Sequence, residues 1–230
     1  MIIKAVTLGI GAALLVACAG DMDMEQAGQA AATDEPAADT NMAHAHMGHV
    51  LTAWEDTPGG QGFLPTAQAE AAVAAQHAGF AASRPDDLAW MQMHVVHVVN
   101  AIDPSVEPEG PGAGYGVRQA AEGVAKHVRF AADSPGASDN VKLHAGHVET
   151  SAGNLVVWSE RVVELGRQVG AAGSAEEAAP IVAEIEEITE VILVGRDADG
   201  DGQASWEENE GGLQQVAQHM QFMQEGEGLS

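Results

Sequence analysis

Cysteine is almost missing from this 230-residue chain: there is one, at position 18. A single thiol excludes an intrachain disulfide framework and a covalent Cys-x-x-Cys-His haem attachment. Positive charge is nearly as scarce, with 9 Lys and Arg against 34 Asp and Glu and a net charge of −25. A field of that sign repels nucleic acid and anionic membrane surfaces and favours cations. Solubility in a salty habitat would explain most of it, so charge alone assigns no role. No run shows strand-like alternation with β-branched residues, which leaves an all-α fold. The Gly-rich "GPGAGYG" (110–116) has no Lys and follows no strand, excluding a phosphate loop. No Ser/His/Asp set stands in an elbow-like context. The N-terminal apolar run, residues 5–17, is too short to span a bilayer comfortably.

Lys4 precedes that run, and "LVAC" closes it at Cys18. This arrangement resembles the lipobox of bacterial lipoproteins, with residues 1–17 as the signal peptide. The resemblance implies that Cys18 is lipidated and becomes the first mature residue. No thiolate then remains for a metal or a nucleophile. It also implies an envelope location, anchored in a membrane through Cys18. Ala19 follows the Cys, where in that family an Asp favours inner-membrane retention, so the outer membrane facing the periplasm is expected.

Residues 18–43 have low complexity and no apolar period, and are expected to form a disordered tether. From 44 onward, Ala-rich helical patterns alternate with Gly/Pro loops. Helices are predicted over roughly 66–82, 86–101, 115–132, 138–169 and 175–196, with a shorter one near 206–224. Residues 44–170 read as a histidine-repeat bundle of two tandem antiparallel hairpins, and 171–230 as a helix, a loop and a final helix packed on it.

The repeat emerges on shifting the sequence by fifty. Residues 71–98 then lie on 121–148 without a gap, and 10 of 28 positions match. The informative matches are His77/His127, His94/His144 and His97/His147. A partial third copy, "HMGHV" (46–50), shares the His-x-x-His-Val signature with "HVVHV" (94–98) and "HAGHV" (144–148). On a helix, positions i and i+3 share a face. His77 and His94 are nearly equidistant from the turn at 85–86, as His127 and His144 are from the turn at 135–136. Two constellations are therefore expected, His77/His94/His97 and His127/His144/His147. One histidine alone is more often a packing residue than a ligand. Three that persist while 18 of 28 positions have drifted favour ligation. The N-terminal cluster with His46 and His49 either completes a site as part of the third repeat or is an accidental tract. His219 lies outside the repeat and reads as structural, and Trp54, Trp90, Trp158 and Trp206 read as packing residues.

Three neutral imidazoles suit Cu, Zn, Ni or Fe. Met91 and Met93 flank His94 but are not repeated at 141 or 143, so a thioether ligand is not expected. The Glu-x-x-His pattern of di-iron bundles is absent at these positions. Non-covalent haem b held by the same histidines is an alternative.

A second, unrelated pattern occupies residues 197–208, "DADGDGQASWEE". It resembles an EF-hand calcium loop. Asp197, Asp199 and Asp201 fall at positions 1, 3 and 5, Gly202 at the sharp turn, and Ser205 at position 9. Glu208 falls at the bidentate position 12, with Gln203 offering its carbonyl. The resemblance implies Ca2+ at these residues. Ala204, where paired EF-hands place a large apolar residue, and the lack of a second loop imply a lone structural clamp. The chain is thus expected to be an anchored metal-binding protein whose partners are metal ions. Electron transfer through haem and a metal-dependent enzyme remain the alternatives, with binding favoured over catalysis.

Overall fold

The computed structural model describes residues 38–229, and within them the fold is all-α, as expected. The signal peptide, Cys18 and residues 18–37 of the expected tether lie outside the described residues. Seven α-helices follow in chain order: α1 (Ala38–Leu51), α2 (Phe63–Ala82), α3 (Leu88–Ile102), α4 (Val117–Asp133), α5 (Asp139–Ala171), α6 (Ala175–Val194) and α7 (Leu213–Gly226). α1 begins inside the stretch expected to be tether, so helix precedes the boundary at 44. No helix among the described residues is long and apolar enough to cross a membrane.

Local chemistry sets the helix starts. The side chains of Asp87, Ser138 and Ser174 accept from the amides of Trp90, Val141 and Glu177, capping α3, α5 and α6. Gly195, at φ 80°, closes α6 in a backbone region that side chains disfavour. The final helix starts later than predicted. Residues 206–212 are not helical: they bend and turn through 206–210, where Asn209 takes φ 68° and Asn154 of α5 donates to the carbonyls of Glu207 and Gly211.

The core is built largely of Ala and Val, which lets helices approach closely. α5, the longest helix, packs against α3, α4, α6 and α7, while α2 packs against α3, α4 and α6. Both predicted hairpins, α2–α3 and α4–α5, are present. α1 docks chiefly on α4, and α7 chiefly on α5. The long 103–116 connection is fastened from inside. Glu70 of α2, only 1% exposed, accepts from the amides of Ala113, Tyr115 and Gly116. That satisfies a buried carboxylate which would otherwise be costly.

Candidate metal centres

Nine of the ten histidines gather into three triads: His77/His94/His97, His46/His49/His127 and His144/His147/His219. The first is the one expected on α2–α3. Its His77 Nδ1 lies 3.0 Å from His94 Nδ1 and 3.2 Å from His97 Nδ1. The second joins α1 to α4, with His127 Nδ1 3.2 Å from His46 Nδ1 and 3.1 Å from His49 Nδ1. The third joins α5 to α7, with His219 Nδ1 3.0 Å from His144 Nδ1 and 3.4 Å from His147 Nδ1.

The expected His127/His144/His147 set is therefore corrected. α4 and α5 do form a hairpin, and distance from the turn does fix a residue's height along it. It does not fix azimuth. His127 faces α1, while His144 and His147 face α7, so each half of the hairpin is completed by an end helix. His46 and His49 belong to one of the three triads. His219 is a central ligand candidate and not a mere packing residue. A signal for this was present in the sequence. "VAKHVRF" (124–130) and "VAQHMQF" (216–222) share Val, Ala, His and Phe, and His77 also has Phe80 three residues on. Each triad is thus one His-x-x-His helix facing one His-x-x-Phe helix.

Aromatic rings wall all three triads. Phe80, Phe130 and Phe222 lie 5.3 Å from the first histidine of their respective signatures, His94, His46 and His144. Trp54 sits 4.8 Å from His49 and 4.7 Å from His127, and Trp90 sits 4.2 Å from His94. Trp206 stacks on His147 at 4.0 Å with the planes 15° apart. Phe63 completes the α1–α4 site 5.2 Å from His127, in a space left by Gly123, where a Cβ would meet its ring at 2.4 Å. Trp158 is buried in the core and Trp54 packs against it, as expected, but Trp54, Trp90 and Trp206 also line the triads. All four Phe of the chain and three of its four Trp line the triads.

Burial, followed by the neighbouring imidazoles, pulls His127 and His219 down to about 4 from the ordinary 6.5. Burial also lowers His46, His77, His94, His144 and His147. These seven rings are held neutral at neutral pH, with lone pairs free. A neutral ring nitrogen ordinarily either donates once or accepts once. The central nitrogen of each triad makes two short contacts, so protons alone cannot satisfy both. One cation satisfies all three nitrogens. At a metal–nitrogen distance of about 2.0–2.1 Å, ligands on a tetrahedral face lie about 3.3 Å apart. The two edges from the central nitrogen of each triad, 3.0–3.4 Å, bracket that spacing, and all three ligand atoms lie within 4.8 Å of one another. The triads can therefore hold a metal ion.

In the acidic loop, Asp197 and Asp199 come together with Glu210. Of the expected carboxylates, Asp201 and Glu208 are not in that cluster, while the Ser205 amide donates to Glu210 beside it. Glu208 is exposed and lies near Asn154 and Trp158 instead. Glu210, only 3% exposed, turns inward and accepts from the amides of Ala198, Asp199 and Ser205. Asn209, between the exposed Glu208 and the buried Glu210, takes a positive φ of 68°. Asp197 accepts from Gly200 and Gly202, as a wrapped loop requires.

No protein-family model, curated protein or solved structure matches this chain.

Proposed function

We propose that this protein is a lipid-anchored envelope protein that binds three transition-metal ions, one per histidine triad, as a store or chaperone. The observation that carries the reading is the threefold recurrence of one design, a His-x-x-His helix facing a His-x-x-Phe helix inside an aromatic wall. Residues placed by chance or by packing would not converge three nitrogens at ligand spacing in three separate places. The acidic loop serves as a structural Ca2+ clamp in this reading, with Glu210 in the closing role assigned to Glu208 by the sequence. Anchoring through Cys18 in the outer membrane completes the proposal. Anaerobic and aerobic titrations with Cu, Zn, Ni and Fe, read by native mass spectrometry, test it. Three equivalents are expected, falling by one when any single triad is replaced by Ala. Failure to hold any of these metals at micromolar concentration would sink the reading.

Haem b is less well supported. Axial nitrogens on opposite sides of an iron lie about 4 Å apart with a flat macrocycle between them. Triads with contacts of 3.0–3.4 Å offer no such slot. A metal-dependent enzyme draws support from one feature of the α1–α4 site. A cavity of about 450 Å³ is lined by His49 and Trp54, and another of about 210 Å³ by His127, Trp54 and Tyr115. An ion there would have a fourth position open to an incoming molecule. Metal-loaded protein that binds azide or cyanide at that site alone would favour this second reading.

A further inference from the structure

Among the described residues, none of the nine triad histidines pairs with a carboxylate. The one histidine that does is His44, 2.9 Å from Glu227, and it belongs to no triad. In a chain with 34 acidic residues against 9 basic ones, composition would favour the opposite. Glu55, Asp56 and Glu122 line the cavities beside His49 and His127 without pairing with an imidazole, and two cations lie over the aromatic walls. Arg84 lies 3.7 Å over Trp90, and Lys126 lies 5.8 Å from the ring of Phe130.

We propose that the triads are built for a singly charged ion of the copper(I) class and select against divalent ions. This rests on the metal-binding reading above. Donor softness does not make the choice, since imidazole suits zinc, copper, nickel and iron alike. Charge makes it. The cost of moving an ion from water into apolar surroundings rises with the square of its charge, about fourfold from one to two. Divalent sites commonly offset this with carboxylates, either as ligands or behind the ligating imidazoles. Here that second partner is missing where it can be seen best: His94 Nε2 is buried with nothing to bond. Aromatic faces attract a desolvated cation through the ring quadrupole without adding a negative charge. The walls of Phe and Trp thus suit one unit of charge and leave two uncompensated.

The test is a competition on the full chain. Protein loaded anaerobically with one Cu(I) per triad is dialysed against about tenfold excess Zn(II), and retained metals are counted by elemental analysis. Retention of copper in all three triads, with little zinc, is expected. Zinc replacing copper in any triad overturns the proposal but leaves the metal-binding reading standing. Failure of both ions to bind removes that reading as well. Two variants separate charge from general affinity. Phe222 is 36% exposed, so its replacement is tolerable for folding. Phe222→Asp places a carboxylate beside His144 and His219, and should raise the zinc-to-copper ratio at that one site by about tenfold or more. Phe222→Leu, which removes the ring but adds no charge, should shift the ratio far less. If Asp does not move it, or Leu moves it equally, charge is not the selector and the proposal fails.

Discussion

The triad on the α2–α3 hairpin and the two that hold the end helices use the same imidazoles but close very different lengths of chain. His77 is separated from its partners by 17 and 20 residues. His127 reaches back 81 and 78 residues to α1, and His219 reaches 75 and 72 to α5. The logarithmic closure cost makes a clip across 78 residues worth about 1.4 kcal/mol more than one across 17. Among the described side chains of α1, the buried apolar ones are Ala43, Met47 and Val50. An ion in the first triad would therefore decorate a hairpin that packs without it, whereas ions in the other two would tie α1 and α7 to the bundle.

The largest expected effect breaks the molecule along that division. Stripping metal from the loaded protein should deprotect α1 amides to hydrogen exchange first and leave α2 and α3 protected. His127→Ala should do the same and lose one metal equivalent. His77→Ala should lose one equivalent without opening any helix. Uniform deprotection in both variants would erase the distinction. Pairing the substitutions sharpens it. His127→Ala combined with His144→Ala should cost two equivalents, because the residues serve different ions. A loss of only one would restore the single hairpin site that spacing alone suggests.

That contrast also marks how far the sequence could be read. The all-α fold, both hairpins and the α2–α3 triad were legible, because local periodicity and turn position fix helix identity and height. The partners of His127, His144 and His147 were not. Azimuth depends on which third helix packs alongside, and α1 and α7 are distant in sequence. The His-x-x-Phe match at 219–222 was available but lay outside the fifty-residue register. In the acidic loop, Asp197 and Asp199 do come together, but with Glu210, which the loop spacing did not single out.

Proton competition gives the next effect. The unfolded imidazoles of His127 and His219 take a proton near 6.5, and the folded ones only near 4. Between those values the unfolded state binds more protons, so their contribution to the stability of metal-free protein is complete above 6.5. It is lost as pH falls toward about 4. The urea midpoint of metal-free protein should drop between pH 7.5 and 5, and His127→Gln with His219→Gln should flatten the drop. An equal drop in the double variant would place the pH sensitivity elsewhere.

Within the acidic loop, Glu210→Gln and Glu208→Gln separate the two candidates for its closing carboxylate. Glu210 fixes three amides, so its replacement should loosen the loop and weaken Ca2+ at least tenfold. Trp206 stacks on His147 from within this loop, so its fluorescence reports the loosening. Glu208→Gln should be near neutral. The reverse ranking would return the closing role to Glu208.

The smallest effect tests the α4–α5 seam itself. Arg129 of α4 bonds Glu149 of α5 at the surface, one of the exposed ion pairs of the fold. Such pairs contribute about 0–1 kcal/mol, because water already solvates both charges and fixing two long side chains costs entropy. Arg129→Gln should therefore shift the urea midpoint barely at all and leave all three metal equivalents in place. The bond joins the same two helices that carry His127, His144 and His147, so the variant asks whether the seam between them matters for metal. Loss of an equivalent on removing this one cross-link would mean that the α4–α5 hairpin, and not the end helices, positions the ligands.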